Sequence, residues 1–223
     1  HRVDRRQRQM CIRDRYKFSS KESNEPIVVQ SIQDFSESEI EESDDGKLYA
    51  KVRVCHTLLN RSNSYISEES MLEAMPTLKY APLLASIHQL DDGTWDFHSH
   101  DFHIEEDEDG NKYEVYDENQ VGTFTADDPY LEYDKAKNKT YAVAKAAIPI
   151  EYTRTADIIK SKGGTKVSCE LLIYDCSYNA EKHYLQLDHF RFNGCTCLGS
   201  EKDGTPIGAV SYTHLTLPTI YSV

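Results

Sequence analysis

The sequence contains no apolar run of about 18 residues, and no segment resembles a signal peptide. A membrane-spanning helix needs about 20 mostly apolar residues, so the first absence argues against such a helix. The second absence argues against secretion. We therefore expect a soluble intracellular protein without a membrane partner.

Basic residues are also scarce. The chain has 25 Lys and Arg against 38 Asp and Glu, which gives a net charge of −13. Residues 1–15 carry a net +4 and residues 210–223 carry no formal charge, so residues 16–209 carry −17. This acidity disfavours nucleic acids and anionic membranes as partners, because both would repel the chain.

The few cysteines of the chain argue against stabilisation by disulfide bonds. Only six cysteines occur, and five remain once Cys11 is set aside. An odd number without a secretory signal argues against a disulfide framework. Cys195 and Cys197 form a lone C-x-C without a second pair at zinc-finger spacing. Alternation on a strand places both on one face, where they act as small buried hydrophobic residues.

The two ends of the chain are related to each other. One DNA segment can encode Arg5–Asp14 on one strand and Val210–Thr219 on the complementary strand. This relation is typical of a translated sequencing-library adaptor. We therefore interpret residues 1–15 and 210–223 as adaptor-derived artefacts and exclude them from fold reasoning. We expect what remains to be a piece of a longer protein.

The remaining residues divide into three regions. Residues 16–46 are rich in Ser, Glu and Asp, which predicts an acidic, mobile leader that ends at Gly46. Residues 47–200 are sufficient for one folded domain with a single core. Residues 201–223 form a tail.

Patterns within the domain predict many short strands and few helices. Alternation from Leu48 to Cys55 indicates a strand, and Ser67 is suited to begin a helix. A second helix is predicted over Tyr152–Lys162, where Gly163 ends it. We therefore predict an α+β fold with a curled, barrel-like, mostly antiparallel sheet and two or three flanking helices.

One serine follows a glycine pair at the start of an apolar strand. In Gly163-Gly164-Thr165-Lys166-Val167-Ser168-Cys169-Glu170, alternation places Ser168 and Glu170 on the face opposite to Val167 and Cys169. A hydroxyl on rigid backbone can be presented to a substrate in a fixed geometry. Ser168 is therefore a candidate nucleophile, and the alternative is a half-buried serine without a catalytic role.

A serine nucleophile needs an imidazole and a group that orients that imidazole. A serine hydroxyl is weak until a neighbouring histidine takes its proton, and a third group fixes the histidine tautomer. His100 and Asp188 are candidates for these two roles if the sheet brings them to Ser168. His189 and Glu170 are the alternatives to Asp188.

The same histidines also allow a metal site. His98, His100 and His103 form H-x-H-x-x-H, and on a strand His98 and His100 share a face and could chelate a metal. No second ligand cluster has a recognisable spacing. We therefore expect no metal and no cofactor, and keep His98 with His100 as the alternative metal pair.

Several short segments carry a family resemblance. They are Ala50–His56, Asn63–Ser67, His100-Asp101, Val121-Gly122, Lys166–Glu170 and Leu187–Gly199. On these segments the chain resembles the prohead (capsid maturation) serine proteases of tailed phages, which are relatives of the herpesvirus assemblin fold. The resemblance implies His100 as the catalytic histidine, Ser168 as the nucleophile, and a third member at Asp188 or His189.

The resemblance also implies a function and a location. It implies a serine endopeptidase that processes capsid or scaffold proteins in the assembling procapsid, within the host bacterial cytoplasm. Those proteins are then the partners, together with self-association. The alternative is a non-catalytic phage head structural or scaffold-associated module on the same fold, because a shared fold does not guarantee shared activity. The third option is a His-cluster metal-binding protein.

Overall fold

The computed structural model describes residues 16–19, 27–36, 40–60 and 63–207 of the chain. Within these residues the chain forms sixteen strands, two α-helices and one 3₁₀-helix. The strands are β1 (Tyr16–Ser19), β2 (Ile27–Ser36), β3 (Ile40–Ser43), β4 (Lys47–His56), β5 (Leu58–Leu59), β6 (Ser64–Ile66), β7 (Pro82–Ala85), β8 (Ile87–Gln89), β9 (Trp95–Phe97), β10 (Phe102–Glu106), β11 (Lys112–Tyr116), β12 (Asn119–Phe124), β13 (Tyr130–Asp134), β14 (Lys139–Pro149), β15 (Gly164–Asn179) and β16 (Tyr184–Leu198). The helices are α1 (Glu68–Ala74), continued by the 3₁₀-helix Met75–Leu78, and α2 (Thr155–Lys162).

Twelve of these strands form one mixed sheet in which most neighbours are antiparallel. Its main path runs β1-β15-β16-β7-β12-β14-β4-β3, and β2, β5, β6 and β13 pair at its sides. In the described part of the chain no ladder joins the β15 side of the sheet to the β3–β4 side, so the sheet is not closed into a barrel.

The prediction of an α+β fold with a helix-flanked, barrel-like sheet is therefore wrong. The fold is mostly β. The two α-helices contain seven and eight residues, which is too short for a helical layer over a twelve-stranded sheet. The sequence patterns located the helices but overstated their share of the architecture.

The predicted helix signals are otherwise confirmed. Ser67 is the N-cap of α1, and its hydroxyl accepts a hydrogen bond of 3.0 Å from the Ser70 amide. Gly163 ends α2 with φ of 65°, a left-handed conformation that glycine adopts without steric cost. Both caps satisfy backbone groups that the helix ends would otherwise leave without partners.

The pair β15–β16 positions the candidate serine. β15 contains 16 residues and pairs with β16 along most of its length. Val167, Cys169 and Leu171 are fully buried on one face, as alternation predicts. Cys195 and Cys197 are also fully buried, which confirms the prediction that they act as small core residues.

The other edge of β15 is covered by strands from residues that the sequence assigns to the leader. β2 pairs with Gly164–Ile173, and β1 pairs with Asp175–Tyr178. β3 pairs with β4 on the other side of the sheet. Residues 16–46 therefore contribute three strands to the sheet.

A hairpin, which we call the arm (Phe102–Tyr116), forms a separate two-stranded sheet from β10 and β11. Every residue of β10 is exposed, and all but one residue of β11 are exposed. At its base the Asp117 amide donates to the Asp101 carbonyl at 2.9 Å. The arm thus projects from the domain between His100 and Glu118.

The backbone just after β16 forms hydrogen bonds to the segment that leads to His100. The Gly199 amide donates to the His98 carbonyl at 3.2 Å, and the Ser200 amide donates to the Phe97 carbonyl at 3.0 Å. A Cβ at Gly199 would lie 2.2 Å from the Phe97 carbonyl oxygen. Only glycine fits this close approach of two backbones.

None of the helices in the described residues has the length and apolar character of a membrane span.

Candidate active site

Ser168 lies on β15 between two paired strands. It faces Thr196 of β16 in the register on one side and Ile32 of β2 on the other. Ser168 is 1% exposed, and no hydrogen-bond partner of its Oγ is found among the described residues. Buried hydroxyl groups nearly always have a partner, so Ser168 is an exception, and a substrate can reach its Oγ only if the surrounding side chains move.

His100 lies in the loop between β9 and the arm, and two carboxylates approach it. Its Nδ1 lies 2.9 Å from Glu118 Oε1 and 3.5 Å from Glu170 Oε1. Neither contact is aligned as a hydrogen bond, so both are ion-pair contacts. The side chains of His100, Glu118 and Glu170 are 11%, 3% and 15% exposed, so the cluster is largely withdrawn from water.

These carboxylates control the protonation of His100. Burial lowers the pKa of His100, but Glu118 and Glu170 raise it more strongly, from 6.5 to about 9. A group with this pKa is mainly protonated at neutral pH. At neutral pH His100 is therefore mainly an imidazolium beside two carboxylates.

The sheet makes room for Glu170 on the face that also carries Ser168. Glu170 is two residues from Ser168 and faces Gly194 across the ladder. A Cβ at Gly194 would lie 3.6 Å from Glu170 Oε2, so the glycine leaves space for this carboxylate. Thr196 Oγ1 donates to Glu170 Oε1 at 3.3 Å, which fixes the carboxylate beside the serine.

Two of the predicted site residues lie elsewhere. Asp188 is eight residues from Thr196 on β16, which is roughly 25 Å along a strand. Its Oδ1 accepts a hydrogen bond of 2.7 Å from Gln186 Nε2. His189 Nδ1 lies 2.8 Å from Glu73 Oε1 beside α1. The structure brings His100 to Glu118 and to Glu170, which is two residues from Ser168 on β15, and does not bring Asp188 or His189 to them.

The other histidines of the motif also have their own partners. His98 pairs with Asp101 through Nδ1 and with Glu201 through Nε2. His103 lies in the arm and pairs with Asp117 and Glu105. In the described residues the one group of three or more side chains that could hold a metal ion is His100, Glu118 and Glu170. His98 is not part of that group.

Sequence reasoning missed Glu118. It follows the arm, 18 residues after His100, and no motif marks it. The signal that was present is the hairpin itself: two strands around the turn near Gly110 return the chain to its starting point. Residues just before and just after such a hairpin become neighbours, and here these are His100 and Glu118.

An open cavity is lined by Pro82 and by the residues of β16 that precede Gly194. It has a volume of about 380 Å³, and its wall includes Pro82, Arg191 and Asn193. The Pro82 Cγ lies 3.6 Å from the Cβ position of Gly194, which faces Glu170. Pro82 thus belongs to the cavity wall and also lies beside Gly194, whereas Ser168, His100, Glu118 and Glu170 are not part of that wall.

Comparisons with known proteins give one match. The family model described as the YonD N-terminal domain matches residues 46–210. No curated protein and no solved structure matches the chain. The match supports a relation to YonD of the SPbeta prophage, and it names a family other than the prohead proteases. Since the matched region covers most of the sequence and the whole candidate site, the chain belongs to the phage-related YonD N-terminal domain family.

Proposed function

We propose that the chain is a serine endopeptidase that processes phage capsid or scaffold proteins during head assembly. Ser168 is the nucleophile, His100 is the general base and then the general acid, and Glu118 orients His100. Glu118 takes the role that the sequence assigned to Asp188. The proposed site of action is the assembling procapsid in the host cytoplasm.

One observation carries this proposal: Ser168 lies on the face of β15 that also carries Glu170, and Glu170 in turn contacts His100. The hydroxyl of Ser168 and the Nε2 of His100 are both buried, and neither has a hydrogen-bond partner among the described residues. The other ring nitrogen of His100 contacts Glu118. A histidine held at Nδ1 by a carboxylate and free at Nε2 has the arrangement that serine catalysis requires.

The chemical steps follow from these roles. His100 Nε2 takes the Ser168 proton as Oγ attacks the carbonyl carbon of the scissile peptide bond. The imidazolium then gives that proton to the leaving amine, which departs as the C–N bond breaks. Water hydrolyses the resulting ester with the same histidine as base. Glu118 stabilises the positive charge that His100 carries between these steps.

Protonation of His100 has to be reversed before the first step. With a pKa of about 9, the neutral form is about one part in a hundred at pH 7. A substrate that displaces Glu170 from His100 would remove one of the two charges that raise this pKa. Ser168 and His100 do not hydrogen bond in the structure, and catalytic contacts of this kind often tighten only when substrate binds.

Co-expression with the capsid and scaffold proteins of the same phage tests the proposal. We expect the wild-type chain to shorten at least one of these proteins. The Ser168→Ala variant should leave all of them intact, and Ser177→Ala, another buried serine on β15, should process them normally. Equal processing by wild type and Ser168→Ala would overturn the protease assignment and favour the non-catalytic head module.

Metal binding is the second candidate, and one specific observation favours it. His100, Glu118 and Glu170 each offer a ligand atom, and these atoms lie within 4.8 Å of one another. One imidazole and two carboxylates form a donor set that suits Zn²⁺ or Mn²⁺. A metal would neutralise the two carboxylates in place of the imidazolium proton.

Calorimetric titration separates the two candidates. Metal binding to this set requires neutral His100, so Zn²⁺ would release a proton at pH 7, and the measured heat would depend on the buffer. If Zn²⁺ binds with that proton release and Glu118→Gln abolishes it, the metal function is supported. If wild type binds no metal, the second candidate is rejected.

A further inference from the structure

The arm places an exposed apolar face directly beside the candidate site. Phe102 faces Tyr116 in the β10–β11 ladder, and Ile104 lies two residues further on the same face. These side chains are 47%, 64% and 53% exposed. Large apolar side chains that cluster in this way commonly mark an interaction site.

The opposite face of the arm is already occupied by its own side chains. His103 pairs with Glu105 and Asp117, and the Tyr113 hydroxyl donates to Glu105 at 3.0 Å. This network makes the hairpin self-supporting on one side. The side with Phe102, Ile104 and Tyr116 therefore remains for a ligand.

The apolar face adjoins the candidate site at the base of the arm. His100 and Phe102 are two residues apart, and so are Tyr116 and Glu118. Burial, then Glu114, Glu170 and Glu118, raise the pKa of the Tyr116 phenol, so that phenol lies within electrostatic range of the buried carboxylates. A polypeptide lying on this face would continue towards His100 and Ser168.

The net charge of the arm indicates which polypeptides can bind to it. Residues 102–116 contain six acidic residues and one lysine, a net charge of −5. Complementary charge favours a basic partner and repels an acidic one. The combination of aromatic and acidic groups suits an extended segment with both apolar and basic side chains.

We propose that the arm is the docking surface for the polypeptide substrate, and that it recognises an extended segment that carries both apolar and basic side chains. Phe102, Ile104 and Tyr116 contact the apolar side chains, and the acidic residues of the arm contact the basic ones. The inference rests on the proposed endopeptidase function, since it is the candidate catalytic site that makes the docked segment a substrate.

A binding experiment in a chain that cannot cleave tests this directly. All chains carry Ser168→Ala, and the probe is a short fluorescent peptide made of leucine pairs and lysine pairs, so that each face of the extended peptide carries both residue types. The control peptide has glutamate in place of lysine. We expect the lysine peptide to bind at least about tenfold more tightly, and to weaken as NaCl is raised from about 0.05 to about 0.5 M.

Matched variants locate the binding surface. Phe102→Ser combined with Ile104→Ser should weaken lysine-peptide binding by about tenfold. Tyr130→Ser combined with Tyr133→Ser, a pair of exposed tyrosines on β13, should change it by less than about twofold. Circular dichroism checks that each variant is folded. The Glu114→Lys variant tests the charge of the same face of the arm without truncating an apolar side chain.

Several results would overturn the inference. These are equal binding by the Ser168→Ala chain with and without the Phe102 and Ile104 substitutions, no binding by the Ser168→Ala chain with the unchanged arm, or a loss of self-association in the arm variant without a change in peptide binding. Labelling of Ser168 by a fluorophosphonate is measured in parallel on chains that retain the serine. Absent labelling with intact peptide binding rejects the protease and not the arm, and the reverse result rejects only the arm.

Discussion

Glu118 Oε1 lies 2.9 Å from His100 Nδ1, although 18 residues and an exposed hairpin separate the two along the chain. This contact links the entry and the exit of the arm to the chemistry proposed for the site. It also determines how His100 titrates, because Glu118 is one of the two carboxylates that stabilise its charged form.

The first prediction concerns the pH dependence of serine reactivity. Because only neutral His100 can accept a proton, fluorophosphonate labelling of Ser168 should rise with pH through about 9. Glu170→Gln removes one charge beside His100 and should move the rise to lower pH. Glu132→Gln, which alters a carboxylate paired with Lys51 and Arg53, is the control. A pH profile that is flat between pH 7 and pH 10 would contradict His100 as the base.

The second prediction concerns the third catalytic member. At about pH 10, where His100 is mainly neutral in both chains, Glu118→Gln should reduce labelling of Ser168 by at least about a hundredfold, because His100 loses the charge that orients it and stabilises its imidazolium. Asp188→Asn should leave the labelling rate within about twofold of wild type, because Asp188 lies far along β16. The opposite ranking of the two variants would restore Asp188 to the role that the sequence suggested.

The third prediction concerns stability. The pKa of His100 is about 9 in the folded chain against 6.5 in the unfolded chain, so protonation stabilises the fold. This contribution is fully present below about pH 6.5 and is lost as pH rises through about 9. Its size is on the order of 3 kcal/mol.

Denaturant unfolding at several pH values measures this contribution. The free energy of unfolding of wild type should fall between pH 6 and pH 10, and His100→Asn should show a smaller fall over the same interval. The comparison isolates His100 from His98 and His103, whose pKa values are also raised by neighbouring carboxylates. An equal fall in both chains would show that His100 is not paired in this way.

The fourth prediction concerns Gly199, which follows β16 and packs against the backbone of Phe97 at the end of β9. Gly199→Ala would place a Cβ 2.2 Å from the Phe97 carbonyl and 2.7 Å from Asp96 Oδ1. The backbone has to move, so we expect a loss of about 2–4 kcal/mol in stability and a lower labelling rate of Ser168. Gly194→Ala meets only side chains at 3.3 Å or more and should cost less stability. A fully stable Gly199→Ala would mean that this contact is not rigid.

The sequence was informative where a single local pattern decides the structure. The caps at Ser67 and Gly163 and the alternation in β4 each depend on a few neighbouring residues, and all three were confirmed. The placement of Ser168 opposite the buried face of Val167 and Cys169 depends on the same kind of pattern. The fold class was predicted less well from the order of elements, because two short helices were counted as a layer.

Contacts between residues that are far apart in the sequence could not be predicted from local patterns. Whether Asp188 approaches Ser168 depends on the register of β15 against β16, which pairs Ser168 with Thr196. Register is set by the packing of both strands and by bulges such as the one near Glu170, and no local pattern shows it. Glu118 reaches His100 only because the arm closes as a hairpin, so its partner could not be read from its neighbours.

Both edges of the serine strand are occupied, by β16 on one side and by β2 on the other. A target chain therefore cannot reach Ser168 by adding itself to β15 as a further strand, which is a common way for proteins to hold an extended peptide. It has to approach from above the plane of the sheet, and side-chain contacts must replace the main-chain ladder that strand addition would have provided.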